Sequence, residues 1–448
     1  MNKRLLVHAL AIAVMTTARA GGLMTNTNYH IAFDRMMARG ASTEIDAAYS
    51  NPAGLAWGYE GLQLSLDFQK PWQNRDIEYN GQTYEGKASA PIVPALFAAY
   101  KKDCWALSAM LGIVGSGGFV EYKQGVPMFN VLMSGLLGAN GFTPGSYSLD
   151  SEMKGKQYIY GGQVNFTYRL ADWLSAAVGL RANYYDGYYR GHVIADDLVQ
   201  PYASRLSLGR LASLLLDVDQ KGWGFTPLVS VNFHQGPLTV AARYEFRTKI
   251  STENETNILD AGLGTNVVAA LMAADPAGAA AKLAALKSQL ATYTASYEDG
   301  VSTRYDMPAL LAVAALYEIT PKLRATAEYH FFDDKQAKMG GDRQEQLTGG
   351  THELQLGAEY DVSDKFTVSL GGQRTDYGLS DEYQQDTSFA CDSYSIGLGG
   401  AWNVTEKIRL NAGYFITLYS NYTKQASYGQ ETFKRTNNVI GLGIDFKF

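Results

Sequence analysis

Cysteine is nearly absent. Cys104 and Cys391 are the only two in 448 residues, too few for a disulfide framework and without metal-site spacing. Long apolar runs are missing too. The run from Leu5 to Met15 is too short to span a bilayer, and no later segment reaches the ~18–20 apolar residues a membrane-crossing helix needs. No basic run accompanies the formal net charge of −6, which argues against nucleic acid as a partner. His192, His234, His330 and His352 are scattered, and no Ser/His/acid motif is recognisable. The chain is therefore read as a non-enzyme that needs neither metal nor cofactor.

What is present begins with an ordered start. Lys3 and Arg4 precede the apolar run and Ala18-Arg19-Ala20 follows it, the charged, apolar and small-residue order of a secretory signal. Residues 1–20 are thus expected to be a cleaved signal peptide on an exported protein. The 46 glycines, 30 tyrosines and 12% aromatic content suit many exposed strands with aromatic rims better than a helical or α/β enzyme.

Period-two alternation recurs along the chain. Leu62, Leu64, Leu66 and Phe68 alternate with Gln63, Ser65, Asp67 and Gln69, and Leu323, Ala325, Ala327, Tyr329 and Phe331 oppose Arg324, Thr326, Glu328 and His330. Each such run is a strand with one apolar and one polar face. Fourteen strands follow, at 60–72, 90–101, 104–116, 154–170, 173–190, 221–235, 237–255, 301–319, 322–338, 351–362, 365–378, 390–403, 406–422 and 432–448. Their connections alternate in length. Tight turns such as Ala171-Asp172, Gln235-Gly236, Thr320-Pro321 and Val404-Thr405 oppose long segments at 73–89, 117–153, 191–220, 256–300, 339–350, 379–389 and 423–431. An even strand number with short turns on one rim and long loops on the other is the outer-membrane barrel arrangement. A water-soluble sandwich has no reason to sort its loops by length. The fold class is therefore an all-β, 14-stranded antiparallel transmembrane barrel. Cys104 and Cys391 fall on opposite rims, ~25 Å of hydrocarbon apart, so both are expected to stay unpaired thiols.

Residues 21–58 break the pattern. They carry small residues, isolated apolar ones and an Asn51-Pro52-Ala53-Gly54 turn. Pro52 fixes φ and lacks a donor, Asn51 is pushed out of the helical region, and Gly54 tolerates a left-handed turn. This stretch is read as a hatch that the barrel, 59–448, closes around. The polar strand faces would then line the interior with Arg181, Arg243, Glu245, Arg247, Arg324, Glu328, His330, Glu353 and Glu359. Charges of both signs suit salt-bridged anchorage of a plug better than a selectivity ring of one sign.

Two outer loops carry apolar residues at helical spacing. Between 198 and 216 these are Leu208, Leu211, Leu214 and Leu215. From 258 to 297, Leu263, Val267 and Leu271 make one stripe, and Leu283, Leu286, Leu290 and Tyr293 another. Ala-rich flanks favour helix. Such helices pack as a lid, form a groove that captures a hydrophobic ligand, or both.

With these features the chain resembles the FadL/TodX family of outer-membrane transporters for long-chain fatty acids and other hydrophobic compounds. The most specific match is R-G-A-S-T-E-I-D-A-A-Y-S-N-P-A-G-L, which resembles the family hatch with its Asn-Pro-Ala motif. Gly222-Trp223-Gly224-Phe225, the strand Y-E-F-R-T-K-I and Met307-Pro308 add to it. The resemblance implies ligand capture between two large outer loops, here 191–220 and 256–300, and sideways release beside a kinked third strand. Gly112 and Gly115 are the kink candidates, since glycine within a strand weakens pairing and permits a bend. No ATP or coupling-ion motif is seen, so passive uptake gated by shifts around Asn51 to Gly54 is expected. The implied partners are a long-chain fatty acid or other hydrophobic ligand and outer-membrane lipid with lipopolysaccharide, and the protein is expected to be monomeric. The alternatives are a general porin for small polar solutes, an outer-membrane enzyme acting on lipids, and an adhesin or phage receptor using the same loops.

Overall fold

The structure, a computed structural model, describes residues 23–448 apart from 91, 116–117, 140 and 199–207. The expected signal peptide and the centre of the 198–216 segment lie outside the described residues. Fourteen strands form one closed antiparallel barrel. They are β1 (Gly61–Tyr79), β2 (Gly86–Ser89 and Val93–Lys102), β3 (Trp105–Gly115 and Phe119–Tyr122), β4 (Tyr147–Ala171), β5 (Leu174–Asp197), β6 (Arg210–Gln235) and β7 (Leu238–Glu245 and Ser251–Leu263). Then come β8 (Ser302–Arg304 and Leu310–Thr320), β9 (Leu323–Phe332), β10 (Thr351–Asp361), β11 (Phe366–Asp376), β12 (Ser393–Asn403), β13 (Ile408–Tyr419, continued by Tyr422–Ala426) and β14 (Gly429–Lys447). β1 closes on β14 from Gln63↔Lys447 to Tyr79↔Glu431.

The burial pattern is inverted relative to a water-soluble domain. Leu354, Leu356, Leu370, Leu398 and Leu442 are more than half exposed, while Gln63, Ser65, Asp67, Thr326, Gln355 and Asn411 are buried. An apolar outer belt on a closed ladder is the surface a bilayer covers, since lipid offers the backbone no hydrogen bonds. Among the described residues no helix is long and apolar enough to cross a membrane.

Several ribbons rise well beyond the belt, so five segments expected to be loops, 73–89, 117–153, 191–220, 256–300 and 423–431, are partly strand. β1 runs on to Tyr79 and turns at Asn80-Gly81, both with positive φ, the two-residue hairpin geometry that matches strand twist. β13 and β14 extend to a turn at Ser427-Tyr428. β5 and β6 pair out to Asp196↔Arg210. Leu211, Leu214 and Leu215 therefore sit on a strand, not a helix, because a short leucine run satisfies either period and cross-strand pairing decided it. Helices do form in two other outer loops. α3 (Pro127–Ala139) follows β3, and α4 (Thr265–Ala274) with α5 (Pro276–Thr294) follows β7. β9 stops at Phe332, short of the expected 338, where Asp334–Gln336 begins a helical turn. Arg247 is exposed and donates to the Gln336 carbonyl, because β7 is interrupted after Glu245 and the inward alternation is lost. Cys104 and Cys391 are both free thiols, as expected.

Candidate functional site

Inside the barrel the N-terminal segment folds as α1 (Ile31–Met36), α2 (Ala47–Ser50) and a helical turn over Pro52–Trp57. His30 caps α1, its Nδ1 accepting from Ala32 N at 3.0 Å. α1 lies on glycines of the wall. A Cβ on Gly371 would overlap the Met36 carbonyl oxygen, and one on Gly397 the Asp34 carbonyl. Charge fixes the same region. Arg35 pairs with Glu359, and Arg39 binds Asp46 at 2.6 Å and Glu359 at 3.3 Å. Glu44 meets Arg409, and His30 faces Asp445 at 3.3 Å. Glu328 accepts from the backbone N–H groups of Arg39 and Gly40, both at 2.7 Å.

The Asn51-Pro52-Ala53-Gly54 turn is held by three strands. Asn51 Nδ2 donates to Ser42 O at 3.0 Å and Asn232 Oδ1 at 2.7 Å, and Ala53 N donates to Ser230 Oγ at 3.0 Å. The carbonyls of Pro52 and Ala53 accept from Thr167 at 2.7 Å and Ser175 at 2.6 Å. Gly54 is not left-handed, contrary to expectation. Glycine is required there by close approach, since a Cβ would overlap Asn51 Nδ2 and Ser42 O.

The wall opens beside this hatch. Among the described residues, β2 and β3 pair from Lys102↔Trp105 to Leu96↔Leu111, and again from Ser89↔Phe119 outward. Across the intervening stretch each strand keeps its other neighbour: Val93 to Ala95 remain on β1, and Ile113 and Gly115 remain on β4. The result is a slit between β2 and β3. Pro94 brings no donor to either side. The leading hatch residues cover the slit from within. Thr25 bridges Gly115, Asn26 N donates to Val114 O at 3.0 Å, and the Tyr29 hydroxyl donates to the same carbonyl at 3.0 Å. The β3–β4 register shifts between Ile113 and Gly115. A Cβ on Gly115 would overlap Met24 O, whereas one on Gly112 would make only ordinary contacts. Behind the slit lies an apolar cluster that includes Met24, Tyr29, Tyr49, Phe97, Met110, Ile159, Tyr185, Tyr305 and Met307.

A second apolar cluster fills the outer mouth. Its core includes Ile77, Tyr84, Val120, Tyr122, Phe129, Met133, Leu137, Tyr189, Phe389 and Phe433. Of the leucine-rich positions expected to bind ligand, Leu211 and Val267 belong to this core, and Leu208, Leu214, Leu263 and Leu271 pack against it. Leu215 alternates away from it on β6. Leu283 is half-buried on α5, and the side chains of Leu286 and Leu290 lie outside the description. Sequence reasoning missed the contribution of α3, although Phe129, Met133 and Leu137 recur every four residues. It also missed Pro94, whose place inside a strand was the available signal for the slit. Among the described residues no group of His, Cys, Asp or Glu could hold a metal.

No protein-family model and no curated protein matches the sequence. Solved structures do. The chain is similar to a Pseudomonas aeruginosa FadL homologue at a TM-score of 0.64 and 14% identity, over 97% of this chain and 100% of that one. The Pseudomonas putida toluene transporter TodX follows at 0.56 and 13%, covering 96% and 99%. The Ralstonia pickettii toluene transporter TbuX gives 0.53 and 13%, covering 90% and 94%. At these identities the finding is a shared fold.

Proposed function

We propose that this chain is an outer-membrane transporter of the FadL/TodX kind that takes up hydrophobic small molecules passively and releases them sideways into the bilayer, with long-chain fatty acids as the foremost cargo. The observation that carries this reading is the slit between β2 and β3, backed by apolar side chains and covered by only a few hatch residues. A path ending in the barrel wall delivers cargo to lipid, the phase where an apolar molecule is most stable. Each CH₂ removed from water contributes ~0.8 kcal/mol, so a long chain partitions into the outer cluster, the inner cluster and then the membrane without an energy source.

Energetics favour a local gate. Losing one partner of a buried ion pair costs roughly 3–5 kcal/mol, and three such pairs, His30–Asp445, Arg35–Glu359 and Arg39–Glu359, tie the hatch to the wall. The Asn51 turn is likewise held by side chains from β4, β5 and β6. The segment around Met24 to Tyr29, latched by hydrogen bonds to β3 and to Gln69 of β1 and by no ion pair among the described residues, is the cheaper part to move. A general porin is disfavoured by the same features, since ion pairs and apolar side chains fill the lumen at hatch level.

The test is uptake of a fluorescent long-chain fatty acid into liposomes holding the purified protein. Faster transfer than into protein-free vesicles is expected, together with an aliphatic photoprobe labelling residues at the slit. Transfer no faster than the control, or a large steady ionic current with labelling confined to polar lumen residues, refutes the proposal in favour of a pore.

A further inference from the structure

One lysine stands on the lipid side of the wall, level with the slit. Lys70 of β1 alternates outward between Phe68 and Trp72, both exposed, and its cross-strand partner on β14 is the equally exposed Ile440. A charge on this face is unfavourable without a compensating partner. The Lys70 Nζ makes no ion pair among the described residues and donates to the Ala90 carbonyl at 3.0 Å, in the stretch of β2 that has left β3. That stretch is a bulge. β1 and β2 pair at Gln69↔Val93 and again at Trp72↔Ser89, so two residues of β1 face three of β2. The inward side changes with it: Ala88 and Ala90 are buried before the bulge, Ala95 and Phe97 after it, and Ile92 between them is exposed.

A bulge leaves its extra residue outside the ladder and bends its strand. Beside lipid, a carbonyl without a donor is costly, and Pro71, next to Lys70 on β1, has no N–H to give. We propose that Lys70 is the positioning residue that holds the slit open: its ammonium fastens the Ala90 bulge from the lipid side and keeps β2 bent away from β3. The opening then has two built edges, the register shift at Gly115 on β3 and this bulge on β2. With an apolar residue in place of Lys70, the Ala90 carbonyl is satisfied most cheaply by flattening the bend and bringing β2 back onto a neighbour, which narrows the slit. This inference rests on the sideways-release reading and names the residue that shapes its exit.

Spin labels at Ile92→Cys and Leu111→Cys, both lipid-exposed positions on opposite sides of the slit, test it in the full chain reconstituted into liposomes. Cys104→Ser and Cys391→Ala remove the native thiols. Lys70→Met should shorten the distance between the labels. It should also lower the maximal rate of fatty-acid transfer ~10-fold, the scale of one hydrogen bond to a charged group. The half-saturating concentration, set at the outer mouth, should stay at the parent's value. Lys70→Arg keeps a charged donor of similar reach and should restore both distance and rate, which a mere gain or loss of apolar surface would not do. Lys70→Thr, too short to reach the carbonyl, carries the same readouts if the Met variant does not fold. An unchanged label distance without Lys70, or an Arg variant as impaired as the Met variant, overturns the fastener. A shortened distance with an unchanged rate upholds the fastener and overturns the slit as the route. Absence of transfer by the unaltered protein overturns the uptake reading, and the label distances still decide on Lys70.

Discussion

Gly371 has no side chain, and α1 requires that, because the Met36 carbonyl occupies the volume a methyl would take. A backbone oxygen cannot swing aside as a flexible side chain can. Gly371→Ala should therefore displace the hatch helix and destabilise the protein by ~1–3 kcal/mol, the usual cost of overpacking. The midpoint of thermal unfolding in detergent measures this. Gly349→Ala, with open space around its Cβ position, should leave the midpoint unchanged. Asn51→Ala tests the other anchor. It leaves the buried Ser42 carbonyl and Asn232 Oδ1 without their donor, a loss of ~1–3 kcal/mol for unsatisfied buried groups. A midpoint equal to the parent's would mean that the turn is not a fastening.

The segment from Met24 to Tyr29 lies along the free edge of β3, joined to it by a single bridge at Thr25 and by bonds to the Val114 carbonyl. Asn26→Pro removes the N–H that bonds to Val114 O and should unlatch it, speeding fatty-acid transfer into liposomes without lowering global stability. Slower or unchanged transfer would argue against this latch. A second element-level device is α3, whose first turn is capped by Asp386 Oδ2 accepting from Met128 N at 2.6 Å. Burial pushes the Asp386 carboxyl above its ordinary range, against the pull of that N–H. A raised carboxyl contributes stability that is present below its unfolded value near ~3.9 and is lost as pH rises through the folded value. The neighbouring Glu431 carboxyl, which burial and then Asp386 push up to about 8, loses the same kind of contribution as pH rises through that value, so limited proteolysis of the outer loops should be slower at pH 5 than at pH 9, and Glu431→Gln should flatten the difference. The transmembrane strands were legible because lipid on one side and a filled lumen on the other impose strict alternation, as at Leu323 to Phe331. Beyond the belt that constraint ends. Leu211 to Leu216 then fit either period, and only pairing with β5 decides between them. The glycine bed under α1 was not legible either, since it depends on which strands the barrel brings together.

At the scale of the whole molecule the question is where a solute leaves the cylinder. An axial exit requires the lumen to clear, yet at hatch level it is crossed by the Arg39, Asp46 and Glu359 pairs and by the Arg181–Glu245 pair. Displacing the entire hatch would break the His30–Asp445, Arg35–Glu359 and Arg39–Glu359 pairs that join it to the wall, and at roughly 3–5 kcal/mol each that exceeds what partitioning of a short polar solute can offset. A lateral exit breaks the hydrogen bonds of Thr25, Asn26 and Tyr29 to β3 and of Asn28 to Gln69 of β1, and no ion pair among the described residues. The barrel should therefore pass oily molecules while remaining electrically closed. In planar bilayers the intact protein should carry no steady ohmic current, and a chain lacking residues 23–58 should open a persistent conductance if the ladder closes without them. A steady current through the intact protein would mean that water and ions already run past the hatch, and that the slit is not the route.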